Sequence, residues 1–595
     1  MTLMAQVPPQ THALSGLPAS AHAQWQTACD ALARLYSDHP DYSAAMAELE
    51  RRVISARLVR PRALIELDTS RQHVPDWYLK PGRPAYCTYI DRFGKTLAGT
   101  SQHLDYLKEL NIGIFHPLPL LKPRAGNSDG GFAVADYRQT DPRLGGFDDL
   151  KQLAADLRDR DMSLVLDMVL NHTAKEHDWA QKQLSGDPAF QDFYIVLKSQ
   201  SDVDEWEASL QDVFPDTAPG SFTYVPEAGG FVWTTFYPFQ WDLNYANPRV
   251  FIEMVDVLFY LANAGVEGFR LDSTAYLWKR QGTISRNLPE THDILRAFRA
   301  LLSIVAPSVF LLAEAIESLE AVLPFFGTPQ NPECDLAYNN GVMTALWGAL
   351  ADQKTDILQS VIAKTTTKPA HGQWLNYVRC HDDIIWLALA DSVPMARLQG
   401  WADFYAGKGA YAKGLSFQAP EGFPASGCGM AASLCGGLDD PQALDRLKLL
   451  YGVTYGLDGV PLLYMGDEIG LENFEAFRDD PALRDEIRWL HRPDMDWELA
   501  ERRRNTDTPQ GQIFDFLKTL SQSLNALTLA PGISVMAHAC PSVLWFERPS
   551  AQGRFVCVAN FSDARVAITP PGRVIVGAEG KVLPPYAVHW YIAEA

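Results

Sequence analysis

The sequence predicts an α/β protein built on a (β/α)8 barrel, and three observations carry that expectation. Short apolar runs repeatedly end in residues that can do chemistry: Ser163 to His172 with Asp167 inside it, Gly268 to Asp272, Ser308 to Ala313 followed by Glu314, and Trp374 to Cys380 followed by His381, Asp382 and Asp383. Helix-patterned stretches separate these runs, and strands alternating with helices read as a parallel sheet covered by helices. The acidic groups sit at strand C-terminal ends, the face on which such a barrel gathers its catalytic residues.

Taken in order, residues 1–80 carry a helical period with many Leu, Ala and Arg positions, which predicts a small helical N-terminal domain. The barrel, residues 81–505, opens with Ala85 to Ile90 and Ile112 to His116 as strands. Two irregular segments, at about 173–241 and 383–440, are rich in Gly, Pro and aromatics. Long loops inside a compact domain are usually functional, so both are expected to shape a pocket. Residues 515–595 read as a C-terminal β-sandwich, with Val543 to Glu547, Arg554 to Ala559 and Ala587 to Tyr591 as short strands.

At 595 residues with 47% hydrophobic content, the chain has ample material for a large core and satellites. A net charge of −21 argues against nucleic acid or anionic membranes as partners, whereas a neutral sugar is indifferent to it. No apolar stretch has the length of a membrane span. The segment Met1 to Ala23 lacks a basic start and a continuous apolar run, so a cytoplasmic protein is expected. Eight scattered cysteines without Cys-x-x-Cys spacing predict free thiols and no structural zinc.

A single Asp or Glu at a strand end is ordinarily a helix cap or a solvated loop charge. Four segments that agree in spacing, order and apolar flanks predict a site. Asp167 to His172, Arg270 with Asp272, Glu314, and His381 with Asp382 resemble the four sequence regions of the α-amylase family, glycoside hydrolase family 13. Within it, Ser128-Asp129-Gly130-Gly131, the segment Tyr237 to Tyr245, the segment Asn376 to Asp383, and Leu490 to Pro493 resemble amylosucrases and sucrose hydrolases.

The resemblance implies a retaining mechanism with Asp272 as nucleophile, Glu314 as acid then base, and Asp382 as the carboxylate that holds the distorted sugar. Arg270 lies two residues before Asp272, so both side chains share a strand face, and the guanidinium is expected to keep Asp272 ionised. Glu314, between Ala313 and Ala315, is expected to keep a proton. His172 and His381 would hold glucosyl hydroxyls, Phe132 would stack under the ring, and Phe239 would form the opposite wall. Asp129 and Arg492 would close the pocket end by pairing, with Ile316, Asp383 and Gln418 lining the fructosyl site. Neither cofactor nor metal is expected. Asn171 is a possible calcium ligand, but the branch resembled does without one.

The departure lies in the second insertion. Polymer-forming relatives place arginines there to grip acceptor sugars, yet residues 398–445 contain none. Lys408 and Lys413 do not reproduce a guanidinium fork. The sequence therefore predicts a sucrose hydrolase, with amylosucrase as the alternative, and a broad α-glucosidase or an inactive sugar-binding protein behind them; oligosaccharide acceptors remain candidate second partners.

Overall fold

The computed structural model describes residues 19–74, 76–420 and 422–594. The first part of the Met1 to Ala23 segment therefore lies outside the described residues. Eight parallel strands close into a barrel in the order β1 (Ala85–Thr88), β2 (Ile114–Pro117), β3 (Ser163–Val169), β4 (Gly268–Asp272), β5 (Phe310–Ala313), β6 (Leu336–Tyr338), β7 (Gln373–Tyr377) and β8 (Val460–Tyr464), with β8 returning to β1. All eight are short, and β3, β4 and β5 are buried at every position. A sheet covered on both faces cannot show a polar alternation, which is why these strands read as continuous apolar runs.

Pleating then decides which side chains enter the barrel. On β4, Gly268, Arg270 and Asp272 share one face while Phe269 and Leu271 take the other. Arg270 stands in register with Asp167 of β3, so the two ionic side chains occupy one layer. Gly268 is required by packing: a Cβ there would lie 2.6 Å from the Phe310 ring.

Helix Pro248–Asn263, with Asn247 as its cap and Pro248 in its first turn, is buried almost all round. A helix apolar on every side needs a cover. Helix Tyr42–Leu58 supplies it, and helix Ala19–Tyr36 covers helix Pro289–Val305 in the same way. Arg34 to Asp293 at 2.6 Å and Arg71 to Glu267 at 2.6 Å fasten the N-terminal helices to the barrel.

The segment after β3 returns to the barrel where His172–Ala174 pairs antiparallel with Gln240–Asp242, and it carries a three-stranded sheet of its own. The segment after β7 holds helix Met395–Asp403 and a small antiparallel pair, Leu415–Ser416 with Gly427–Cys428. At the C-terminus a five-stranded antiparallel sheet faces a two-stranded one. Alternate residues serve opposite faces: Val556 and Val558 pack with Val566 and Leu583 of the small sheet, while Phe555, Cys557 and Ala559 join the main core.

Candidate active site

The barrel delivers Asp167, Arg270, Asp272 and Glu314 to one point. Arg270, 1% exposed, reaches Asp167 Oδ1 at 2.6 Å and Asp272 Oδ1 at 2.7 Å with Nη1, and Glu314 Oε1 at 3.0 Å with Nη2. Asp382 lies further from it, at 3.7 Å. Ser273, in the left-handed region at φ 51°, donates its N–H to Glu314 Oε2 at 2.7 Å and its hydroxyl to Asp272 Oδ2 at 2.9 Å. One guanidinium and one serine thus bridge the two carboxyls.

Electrostatics sorts these groups. Burial opposes ionisation of Asp167, but Arg270 and His116, whose Nε2 is 3.0 Å away, outweigh it and hold Asp167 below the ordinary carboxylate range. Asp272 behaves otherwise: burial, reinforced by Glu314, raises it well above its ordinary value against the pull of Arg270. Burial raises Glu314 as well, with Arg270 opposing and Asp382 adding. The one charge of Arg270 is divided among Asp167, Asp272 and Glu314, which limits its pull on Asp272. The ionisation of Asp272 and that of Glu314 are linked, because both carboxyls lie on one guanidinium.

Both histidines are neutral. Burial lowers His172 to about 4, and burial together with Arg270 and Arg492 lowers His381 well below its ordinary value. His172 Nε2 and both ring nitrogens of His381 have no hydrogen-bond partner among the described residues. Phe132 stacks on His381 with ring centroids 5.5 Å apart and an interplanar angle of 12°. Cys380 and His381 adjoin Asp382, and burial pushes the Cys380 thiol up to about 12.

A cavity of about 990 Å³ opens above this cluster. Its wall includes Asp129, Phe132, His172, Ile316, Asp383 and Gln418 beside Arg270, Asp272, Glu314 and Asp382. Burial raises Asp383. Gln418 spends both ends on protein: its Oε1 accepts from Asp216 N at 3.0 Å and its Nε2 donates to Thr217 Oγ1 at 3.0 Å, so it ties the two insertions together over the cavity.

Two sequence expectations are corrected. Arg492 does not pair with Asp129; its Nε and Nη2 donate to the His381 carbonyl at 3.1 and 3.0 Å, which holds the end of β7 in place. Arg488, one helical turn earlier, takes the expected role, reaching Asp129 Oδ1 at 2.8 Å with side chains 8% and 10% exposed. Glu486 shares that arginine and is held down at about 2 despite its burial. Arg488 sits between Phe214 and Phe417, 5.4 and 5.1 Å from their ring centroids, one ring from each insertion. Phe239 is the second correction. It stacks on Tyr237 at 5.2 Å under Arg124, away from the cavity, whereas Phe236 lines the wall against His172. The sequence reading named only Arg492 and Phe239; the path of the loops brings Arg488 and Phe236 to those places instead.

Lys279 went unread in the sequence. Its Nζ, with a side chain 4% exposed, reaches Asp242 Oδ2 at 2.8 Å and donates to Asn171 Oδ1 and the Tyr276 carbonyl at 2.5 Å each. Asn171 is thus held by an ammonium, and three loops bearing His172, Phe236 and Tyr276 meet at one charge. Lys279→Met leaves buried Asp242 without its ion partner, so we expect a loss of about 3 kcal/mol in folding stability, read from the urea midpoint.

A (β/α)8 barrel whose strand ends converge carboxyls, one arginine and neutral histidines on a deep cavity is the architecture of glycoside chemistry. The family model described as the alpha amylase catalytic domain matches residues 80–391, and the chain belongs to that family. Among curated relatives, the trehalose synthase/amylase of Mycolicibacterium smegmatis is 30% identical over 68% of this chain and 65% of its own length. A glucosylglycerate phosphorylase of Spirochaeta thermophila is 27% identical over 80% of each. Of solved structures, sucrose 6F-phosphate phosphorylase from Thermoanaerobacter thermosaccharolyticum superposes with a TM-score of 0.66 at 19% identity, covering 81% of this chain and 93% of that one. Isomaltulose synthase from Klebsiella gives 0.65 at 18%, over 87% and 99%. These structural likenesses speak for the fold.

Proposed function

We propose that the protein cleaves sucrose with retention, through a glucosyl ester on Asp272, and passes the glucosyl group to water. The observation that carries the choice of a small substrate is the buried Asp129–Arg488 pair in the cavity wall, which in this reading closes one end of the pocket. A closed end accepts a terminal glucosyl unit and rejects a chain passing through. Asp272 attacks C1, Glu314 gives its proton to the fructosyl oxygen, and Glu314 then takes a proton from water as the ester is opened. Asp382 and the two histidines present neutral or anionic acceptors to the ring hydroxyls. Arg492 supports this site through the His381 backbone, and Ile316, Asp383 and Gln418 border the fructosyl side.

Water is favoured as second substrate because no guanidinium in the cavity wall is free to hold a sugar. Arg270 and Arg488 are committed as described, and Arg286 is bound to Glu317 at 2.7 Å. Amylosucrase remains the second reading, with the same catalytic residues. Glu207, Glu317 and Asp391 in the wall disfavour a phosphate nucleophile. All eight cysteines are free thiols, which suits a reducing compartment such as the cytoplasm. No helix of the described residues is long and apolar enough to cross a membrane.

Incubation with sucrose, with and without phosphate or maltodextrin, tests the reading. Glucose and fructose should form in nearly equal amounts under all three conditions. Fructose in large excess over glucose with an iodine-staining glucan would establish the transferase instead, and glucose 1-phosphate would establish a phosphorylase.

A further inference from the structure

Ser273, which follows Asp272 and borders the cavity, is left-handed, at φ 51° and ψ 39°, a conformation that strains any residue with a Cβ and that glycine adopts freely. Contacts with the end of β5 hold it there. Ser273 N donates to Glu314 Oε2 at 2.7 Å, and Thr274 donates to the Glu314 carbonyl through N at 3.1 Å and Oγ1 at 2.6 Å. None of these bonds uses the Ser273 side chain, so none of them calls for serine over glycine. What the side chain adds is its hydroxyl, which donates to Asp272 Oδ2 at 2.9 Å. Arg270 takes the other oxygen, Oδ1, at 2.7 Å, and divides its charge with Asp167 and Glu314. Backbone strain kept beside a reacting carboxyl points to a role in the reaction.

We propose that the Ser273 hydroxyl stabilises Asp272 as the leaving group when the glucosyl ester opens. In that step the water oxygen bonds to C1, the water proton passes to Glu314, and the bond from C1 to the Asp272 oxygen breaks with its electron pair returning to the carboxyl. The ester is neutral and the departing carboxylate is charged, so a donor aimed at that carboxylate lowers the barrier to its departure. In the first step the order is reversed: the carboxylate loses charge as it attacks, and the same hydrogen bond gives no advantage. Ser273 therefore favours opening of the ester over its formation. The inference rests on the glucosyl ester of the reading above.

α-Glucosyl fluoride isolates the step, because its leaving group departs without a proton and opening of the ester then governs turnover. Fluoride release by Ser273→Ala and by Ser273→Gly is followed through the first turnover and into the steady state. Glycine is at ease in the left-handed region and keeps the N–H to Glu314, so the two variants together separate the hydroxyl from the backbone. Both should show a burst approaching one equivalent of fluoride, a steady-state kcat about three- to thirtyfold below that of the parent, and a KM lowered with it, since the ester accumulates. A disturbed pocket would instead lower kcat/KM and leave KM unchanged or raised. That pattern, or a kcat equal to that of the parent, would overturn the proposal. The sucrose reading fails separately, if the parent releases no fructose from sucrose, and the fluoride burst still reports on Ser273.

Discussion

Asp272→Asn is expected to abolish the proposed sucrose cleavage, because an amide cannot form the glucosyl ester, whereas Glu314→Gln is expected to abolish it by leaving the fructosyl oxygen without a proton. The two losses are distinguishable. α-Glucosyl fluoride needs no proton on its leaving group, so Glu314→Gln should still release a first equivalent of fluoride while Asp272→Asn releases none. Activity on sucrose within about tenfold of the parent in either variant would overturn the assignment. The stereochemical expectation is equally direct. Two displacements invert twice, so α-glucose must be the first anomer seen by NMR, and β-glucose would sink the mechanism.

Arg488→Ala is expected to collapse kcat/KM on sucrose. Burial already raises Asp129 against the pull of Arg488, so removing that arginine strands a carboxyl in a desolvated pocket end. Breaking such a pair costs about 3–5 kcal/mol, or roughly a hundred- to a thousandfold and more in transition-state binding. The pair also predicts non-additivity. Asp129→Ala made in the Arg488→Ala background should cost little beyond the first change, since the interaction is already gone. Fully additive losses would mean that the two residues act apart. Arg492→Ala should also impair turnover, chiefly through the His381 carbonyl, and its coupling to Asp129 should be weaker than that of Arg488.

How much of this was legible in the sequence follows from the range of each interaction. Arg270 and Asp272 lie two apart on one strand, and a strand's period of two places them on one face whatever surrounds it. Asp167 and Glu314 were legible because each belongs to a run too apolar to be a loop, Asp167 within it and Glu314 at its end. The barrel followed from the repetition of those runs. Arg488 and Arg492, by contrast, sit one turn apart in a short segment after β8, and either could have reached Asp129. Phe236 and Phe239 presented the same ambiguity. Lys279 gave no signal, since its partners Asn171 and Asp242 lie on other loops.

The sequence by itself determined the barrel, the layer of Arg270 with Asp167, and the convergence of Asp272, Glu314 and Asp382 at strand ends, because local periodicity and burial allow no other arrangement of those runs. Only the tertiary structure decided which arginine pairs with Asp129, that Gln418 latches the two insertions, and that Asp272 and Glu314 divide the charge of Arg270 between them and Asp167. Those features depend on which loops meet and on how one buried charge is divided among several neighbours, and both are set by the packing of residues hundreds of positions apart.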